Sequence, residues 1–226
     1  MKRARPIVAI DGPVGAGKST VAARLARELG FEYVNTGAMY RAVAIAAQAA
    51  GIGADDSEAE HRLDALLGKA RIEFSGGRIM LDGRDVSEAI TAPEVSEMAS
   101  RLSTLAVVRA RMRDLQRAAG APGGVVMEGR DIGTAVFPDA ECKFFLDASA
   151  EVRAERRFRE LSARGVAISC AEVLAQLRER DRRDSERELA PLRAAPDAIV
   201  VDSSALAIDE VVKLIAERVR ARASVA

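Results

Sequence analysis

A chain of 226 residues accommodates one sizeable α/β domain with an embellishment, or two small domains, and 49% apolar residues suffice for a real core. Its 34 Lys and Arg are balanced by 34 Asp and Glu, with six Phe, two Tyr and no Trp. A protein that coats nucleic acid needs basic excess and aromatic platforms, so that class is disfavoured. No apolar stretch approaches the roughly eighteen residues of a membrane span. The basic opening Met1–Arg5 is not followed by an apolar run of signal-peptide length. Cys142 and Cys170 form no CxxC and no metal-ligand spacing, as in a reducing compartment. The expectation is a soluble cytoplasmic protein with neither nucleic acid nor membrane as partner.

The first predicted element is a buried strand, Pro6–Asp11 (PIVAID), ended by Gly12. A helix follows over Gly17–Leu29, with Val21, Leu25 and Leu29 at i, i+4, i+8, and Gly30 stops it. Phe31–Val34 reads as a strand and Tyr40–Ala50 as a helix. Three further short apolar runs, Gly124–Met127, Lys143–Leu146 and Ala198–Val201, are separated by long helical stretches. Strands alternating with helices imply a mostly parallel sheet with helices on both faces. Arg71–Val86 breaks this rhythm: apolar and polar residues alternate around Gly76-Gly77 and Asp82-Gly83, the pattern of antiparallel hairpins. Asp55 to about Ala92 therefore reads as an inserted subdomain. Ala207–Ala221 closes the chain as an amphipathic helix carrying Val211, Leu214, Ile215 and Val219 on one side.

Gly12-Pro13-Val14-Gly15-Ala16-Gly17-Lys18-Ser19 matches G-x-x-x-x-G-K-[ST], between a predicted strand and a predicted helix. Glycines let successive backbone N–H groups turn toward phosphate oxygens, and the helix N-terminus adds partial positive charge. Lys18 can reach the β- and γ-phosphates, and the Ser19 hydroxyl can ligate Mg²⁺. The motif signals nucleoside triphosphate binding. It does not by itself say kinase.

Asn35-Thr36-Gly37-Ala38-Met39-Tyr40-Arg41 follows the second strand at the sheet edge where ligands of open α/β folds bind. With the helix starting near Tyr40, Arg41 sits in its first turn, unfavourable there unless an anion is close. Glu128-Gly129-Arg130-Asp131 follows another strand at the same edge. Arg130 and Asp131 are either a structural pair or, with Arg41, a bracket for a second phosphate. Arg153 and Arg157 repel at i, i+4, so they lie either on a solvated mixed-charge helix or on a lid closing over the transferring phosphoryl group. Arg180, Asp184 and Arg187 share one face of a helix beginning near Ala171. That face is an ion-pair surface or a cleft wall with Asp184 on ribose hydroxyls. Arg109 is the only charge on the stripe Met98, Leu102, Leu105, Arg109, Met112, so it needs either a buried carboxylate or a ligand. That stripe requires one unbroken helix through Ser103-Thr104. His61, the only histidine, lies in a polar run and receives no role.

Together, IDGPVGAGKST, TGAMYR, EGRDIGTAVFPDA, KFFLDAS and ERDRRDSER running into AP resemble the bacterial cytidylate kinases over nearly the whole chain. The Asp55–Ala92 insert resembles their enlarged monophosphate-binding subdomain. The resemblance implies an α/β P-loop kinase fold: a mostly parallel five-stranded sheet with helices on both faces, the inserted subdomain with antiparallel hairpins, and a short lid. Residues 1–226 would form a single domain, with a core of about 1–54, 93–150 and 190–226, an insert of about 55–92, and a lid with arginine-rich helices of about 151–189. It implies transfer of the ATP γ-phosphoryl group to CMP or dCMP with Mg²⁺, by a monomer. ATP would be held by Gly12, Gly15, Ala16, Gly17, Lys18, Ser19 and Thr20, with Mg²⁺ at Ser19 mainly through phosphates and water. The CMP phosphate would meet Arg41 and Arg130 beside Thr36 and Tyr40; cytosine would meet Ser100, Arg109, Asp131 and Arg187; ribose would meet Arg180 and Asp184. Lys18, Arg130, Arg180 and the lid arginines Arg153 and Arg157 would carry catalysis.

An unbroken helix would put Ser100 opposite Arg109, so their joint assignment to cytosine predicts a break near Ser103-Thr104. Asn35 stands where relatives often carry Asp, and Glu128 where some carry Asp; Asn35 is left out of the site. Two rival readings stay on the page: a P-loop kinase for another small acceptor, and an ATP-dependent switch that hydrolyses ATP without an acceptor.

Overall fold

The computed structural model describes residues 3–75 and 77–223. They form two compact units, one of residues up to 33 together with those from 122 onward, the other of residues 34–121.

In the first unit, β1 (Ile7–Asp11) is buried at every position. A strand covered on both faces reads as a continuous apolar run rather than an alternating one, which is how IVAID announced itself. β1 pairs in parallel with β6 (Val125–Gly129), from Ile7↔Val125 to Asp11↔Gly129, and with β7 (Cys142–Asp147) on its other side. β8 (Ile199–Asp202) lies beyond β7, and β2 (Glu32–Asn35) is the other edge, giving the order β2-β6-β1-β7-β8. This is a parallel five-stranded sheet with helices on both sides, as the element pattern implied.

α1 (Lys18–Leu29) starts after Gly17 at φ 90° and stops at Gly30 at φ 62°, both left-handed conformations that glycine adopts without strain. Its Val21 and Leu25 join Val8 and Ile10 of β1, Phe144 and Leu146 of β7, and Val211, Ile215 and Val219 of α8 (Ile208–Ala223) in the main core. α6 (Ala150–Ala163) and α7 (Cys170–Glu186) form a second core of Ala154, Leu161, Val173 and Leu177. α7 opens with a capping box, Ser169 accepting from the Glu172 amide while the Glu172 side chain bonds back to Ser169 N–H.

The second unit contains α2 (Thr36–Ala49), α3 (Ala59–Leu67), α4 (Pro93–Leu102) and α5 (Ala106–Gly120), with α2 packed on α4 and α3 on α5. Its sheet is antiparallel: β3 (Ile72–Ser75) pairs with β4 (Arg78–Leu81), and β4 with β5 (Arg84–Asp85). Asp82 at φ 50° and Gly83 at φ 77° make the second hairpin turn, both positive as a tight hairpin requires. Gly76 of the first expected turn lies outside the described residues.

One local reading is corrected. α2 begins four residues before Tyr40 because the Asn35 side chain caps it, accepting from Ala38 N–H at 3.0 Å. Arg41 is therefore not in its first turn. The polar stretch that holds His61 runs into a helix, α3, whose Ala59, Leu63 and Leu67 recur at i, i+4, i+8 and are all buried. The stripe through Arg109 is not one helix, since α4 ends at Leu102 and α5 starts at Ala106. That is the break expected near Ser103-Thr104.

Candidate active site

The phosphate loop spans Gly12–Gly17 between β1 and α1. At Gly12 a Cβ would fall 2.0 Å from the Leu146 carbonyl oxygen, and at Gly15 3.1 Å from Arg153 Cβ. Gly12, Gly15 and Gly17 all have positive φ, so the loop is barred to larger residues by space or by conformation at each of them. Ser203 lies against it: its hydroxyl, with one proton to give, is 3.0 Å from Asp147 O and 3.2 Å from Ala16 O, while Arg156 donates to Ser203 O at 2.7 Å.

Lys18, the first residue of α1, is buried and donates to Pro13 O at 2.5 Å. Burial, with Arg130 as a like charge, pushes its pKa well below the ordinary lysine value; Glu128, Asp11 and Asp184 pull the other way. Ser19 and Thr20 are exposed at the helix start. Ser19 Oγ donates to Glu128 Oε2 at 2.9 Å, and Tyr33 OH to Glu128 Oε1 at 2.5 Å. One hydroxyl beside one carboxylate suits Mg²⁺, a cation that keeps several waters and takes phosphate oxygens as its other ligands. Among the described residues no group of three or more acidic, His or Cys side chains could hold a metal alone.

Arg130 and Arg187 of this unit gather around Asp184 and Asp131. Arg130 Nε donates to Asp184 Oδ2 at 3.0 Å, so its ion pair runs to α7 rather than to the adjacent Asp131. Arg187 lies just past the end of α7, with Nη1 at 3.8 Å from Asp184 and Nη2 at 3.6 Å from Asp131. Burial alone would raise the Asp184 pKa, but Arg130, Arg180 and Arg187 outweigh it and hold the carboxyl below the usual range. Arg153 is buried in α6 and bound to Ala148 O, to Val14 O of the phosphate loop and to Asp181 at 2.6 Å. Arg157 pairs with Glu160 at 2.7 Å and is partly exposed.

In the second unit Thr36 is buried at the start of α2, and Tyr40 and Arg41 follow on the same helix. Helical side chains lean toward the N-terminus, so Arg41 still reaches the first turn. Its Nη1 lies 3.2 Å from where a Cβ on Gly37 would be, so glycine makes room for the guanidinium. Ser100 and Arg109 are both buried. Ser103 in the helix break links them: its hydroxyl donates to Ser100 O at 2.7 Å, and its carbonyl accepts from Arg109 Nη1 at 3.3 Å. His61 is exposed on α3.

Sequence reading did not assign Asp11, Asp181, Ser203 or Arg156. Only Asp11 left a local signal, an acid ending an otherwise apolar buried strand. No helix among the described residues is long and apolar enough to cross a membrane.

A glycine loop followed by a buried lysine at the carboxyl end of a parallel sheet, with several arginines around it, defines a P-loop phosphotransferase. Residues 8–221 match the family model described as cytidylate kinase, and the chain belongs to that family. It is 49% identical to the cytidylate kinase of Solibacter usitatus (strain Ellin6076) over 98% of this chain and 95% of that one. It is 49% identical to the cytidylate kinase of Pelotomaculum thermopropionicum over 96% of each. Among solved structures, an uncharacterized protein of Eubacterium ventriosum shares the fold at TM-score 0.51 and 13% identity, over 96% of this chain and 99% of that one.

Proposed function

We propose that the chain transfers the γ-phosphoryl group of ATP to CMP, and to dCMP, giving ADP and the corresponding diphosphate. Membership of the cytidylate kinase family over residues 8–221 carries this reading. The arginine and carboxylate sets on the acceptor side support it over a switch protein, which would need no such groups.

In this proposal the backbone amides from Gly12 and Gly15 to Thr20 bind the ATP phosphates, with Lys18 on the transferred group. Ser19 would hold Mg²⁺ through its hydroxyl, which lies beside the Glu128 carboxylate. Mg²⁺ would neutralise charge on the phosphate oxygens. The residues proposed for the acceptor are Thr36, Tyr40, Arg41, Ser100, Arg109, Arg130, Asp131, Arg180, Asp184 and Arg187. No general base is required, because a phosphate monoester is already largely ionised at neutral pH. Catalysis is then positioning plus charge stabilisation, with Arg130, Arg153, Arg157 and Arg180 meeting the charge that builds in transfer. The single-domain organisation, with an inserted monophosphate-binding part of about 55–92 and a lid of about 151–189, belongs to the same proposal. So do a cytoplasmic location, which free Cys142 and Cys170 support, and a monomeric state.

ADP formation from Mg²⁺–ATP, measured with CMP, dCMP, UMP, AMP and GMP separately, tests this. Turnover with CMP and dCMP, less with UMP and negligible with purines, is expected. ATP hydrolysis that ignores every acceptor would favour the switch reading instead. Arg109→Ala should raise the CMP KM by about 10–100-fold, the range for removing a charged hydrogen-bond partner, and narrow the gap between CMP and UMP. An unchanged acceptor profile would take Arg109 out of the base site.

A further inference from the structure

Asp11 closes β1 and is 4% exposed, and beyond the pull of its charge on Lys18 none of the roles above uses it. Its Oδ1 accepts the Ile132 N–H and its Oδ2 the Gly133 N–H, both at 2.8 Å. These two amides open the π-helical turn Ile132–Val136, which follows directly on Arg130-Asp131. The β1–β6 ladder ends at Asp11↔Gly129, so the carboxylate carries the connection past the last backbone pair. Hydrogen bonds to an ionised acceptor are the stronger kind.

Both ends of this bridge are fixed. On one side Asp11 precedes Gly12, where a Cβ would fall 2.0 Å from the Leu146 carbonyl oxygen of β7. On the far side, a Cβ at Gly133 would lie 3.1 Å from Lys143 Cδ and 3.4 Å from Asp11 Oδ2. Lys143 in turn bonds the Pro138 carbonyl and both oxygens of Asp197, at 2.9 Å each. The turn after Arg130-Asp131 is therefore held between Asp11 and Lys143.

We infer that Asp11 is a positioning residue for phosphoryl transfer, holding the Arg130-Asp131 pair in register with the phosphate loop through the Ile132 and Gly133 amides. The inference rests on the proposed roles of that loop and that pair. Burial, with Asp131 adding, raises the Asp11 carboxyl to about 6, against the two amide bonds and Lys18. A carboxyl raised in the folded state contributes stability below its unfolded pKa, and loses it as pH rises through about 6. At neutral pH the charge therefore opposes folding, which a residue kept only for stability would not be expected to do.

The test compares the parent with Asp11→Asn and Gly133→Ala. Asparagine can accept from one amide only and turns an N–H₂ toward the other. Gly133→Ala presses on the same contact without removing the charge. The readings are kcat and CMP KM, ATP Kd by titration without acceptor, and thermal melting. For Asp11→Asn, kcat should fall about 10–100-fold, the scale of a misplacement of about 1 Å, with ATP Kd within about twofold of the parent. Gly133→Ala should show the same split to a smaller degree, and it carries the test if Asp11→Asn does not fold. Parental kcat in both folded variants, or ATP affinity lost in step with kcat, would overturn the inference. A parent without acceptor-dependent turnover would overturn the kinase reading and this inference with it.

Discussion

Lys18→Ala is expected to lower kcat by about 10³-fold, about 4 kcal/mol of transition-state stabilisation, while the chain stays folded. The ammonium is buried at the start of α1 and bound within its own loop to Pro13 O. Burial and Arg130 depress its pKa, so the folded state favours the neutral amine. For a group whose folded pKa is depressed, stability is present above the unfolded pKa, about 10.4, and is lost as pH falls through the folded value. At neutral pH the charged lysine thus costs stability, and phosphate oxygens would offset that cost by opposing both causes. Lys18→Met keeps the aliphatic stem and removes the charge. Without nucleotide it should melt no earlier than the parent, and it should be as inactive as Lys18→Ala. Circular dichroism melts beside coupled ADP assays check both statements. Near-parental turnover in either folded variant would contradict the placement of Lys18 on the transferred group.

For Arg130→Ala the loss should fall on the acceptor side and on stability together. kcat/KM for CMP is expected to drop by about 10²–10³-fold, with ATP Kd little changed. Asp184 is buried, and Arg130 is the foremost of three arginines that hold its pKa down. A depressed carboxyl contributes stability above its unfolded pKa of about 4 and loses it as pH falls through the folded value. Stranding a buried charge costs about 3–5 kcal/mol. The cost should be smaller for this variant, because Arg187 stays 3.8 Å from Asp184 and Arg180 nearby. Urea unfolding at pH 7 should show the deficit, and at pH 3 it should shrink as Asp184 takes up its proton. A deficit independent of pH would mean that the Arg130–Asp184 pair is not its source. Unaltered CMP kinetics would leave Arg130 a structural partner only.

Arg41 and Arg109 mark the boundary of what the chain discloses locally. The sequence placed Arg41 in a first helical turn. An Asn35 cap moves the helix start to Thr36, yet the backward lean of helical side chains returns the guanidinium to that turn beside Gly37. The stripe singled out Arg109 correctly as a buried charge and misjudged the helix that carries it. Ser103-Thr104 put that unbroken helix in question, and the implied joint assignment of Ser100 and Arg109 to one base called for a break there.

By itself, the sequence determined the phosphate loop, the buried strands, the hairpins and the family. Each rests on a rule that acts within a few residues: glycine at positive φ, apolar runs in parallel strands, period-2 alternation, a contiguous motif. Tertiary structure decided the pairings between residues far apart in the chain. Asp11 bonds amides 121 and 122 residues away, Arg130 pairs with a carboxylate 54 residues on, and Arg153 reaches a carbonyl 139 residues back. The i, i+4 spacing offered Arg153 and Arg157 equally as lid residues, but packing buries the first against the phosphate loop and leaves the second paired with Glu160. Periodicity fixes the face on which a side chain leaves its element. The partner across that face is set by strand order and helix packing, which bring together residues that no local pattern connects.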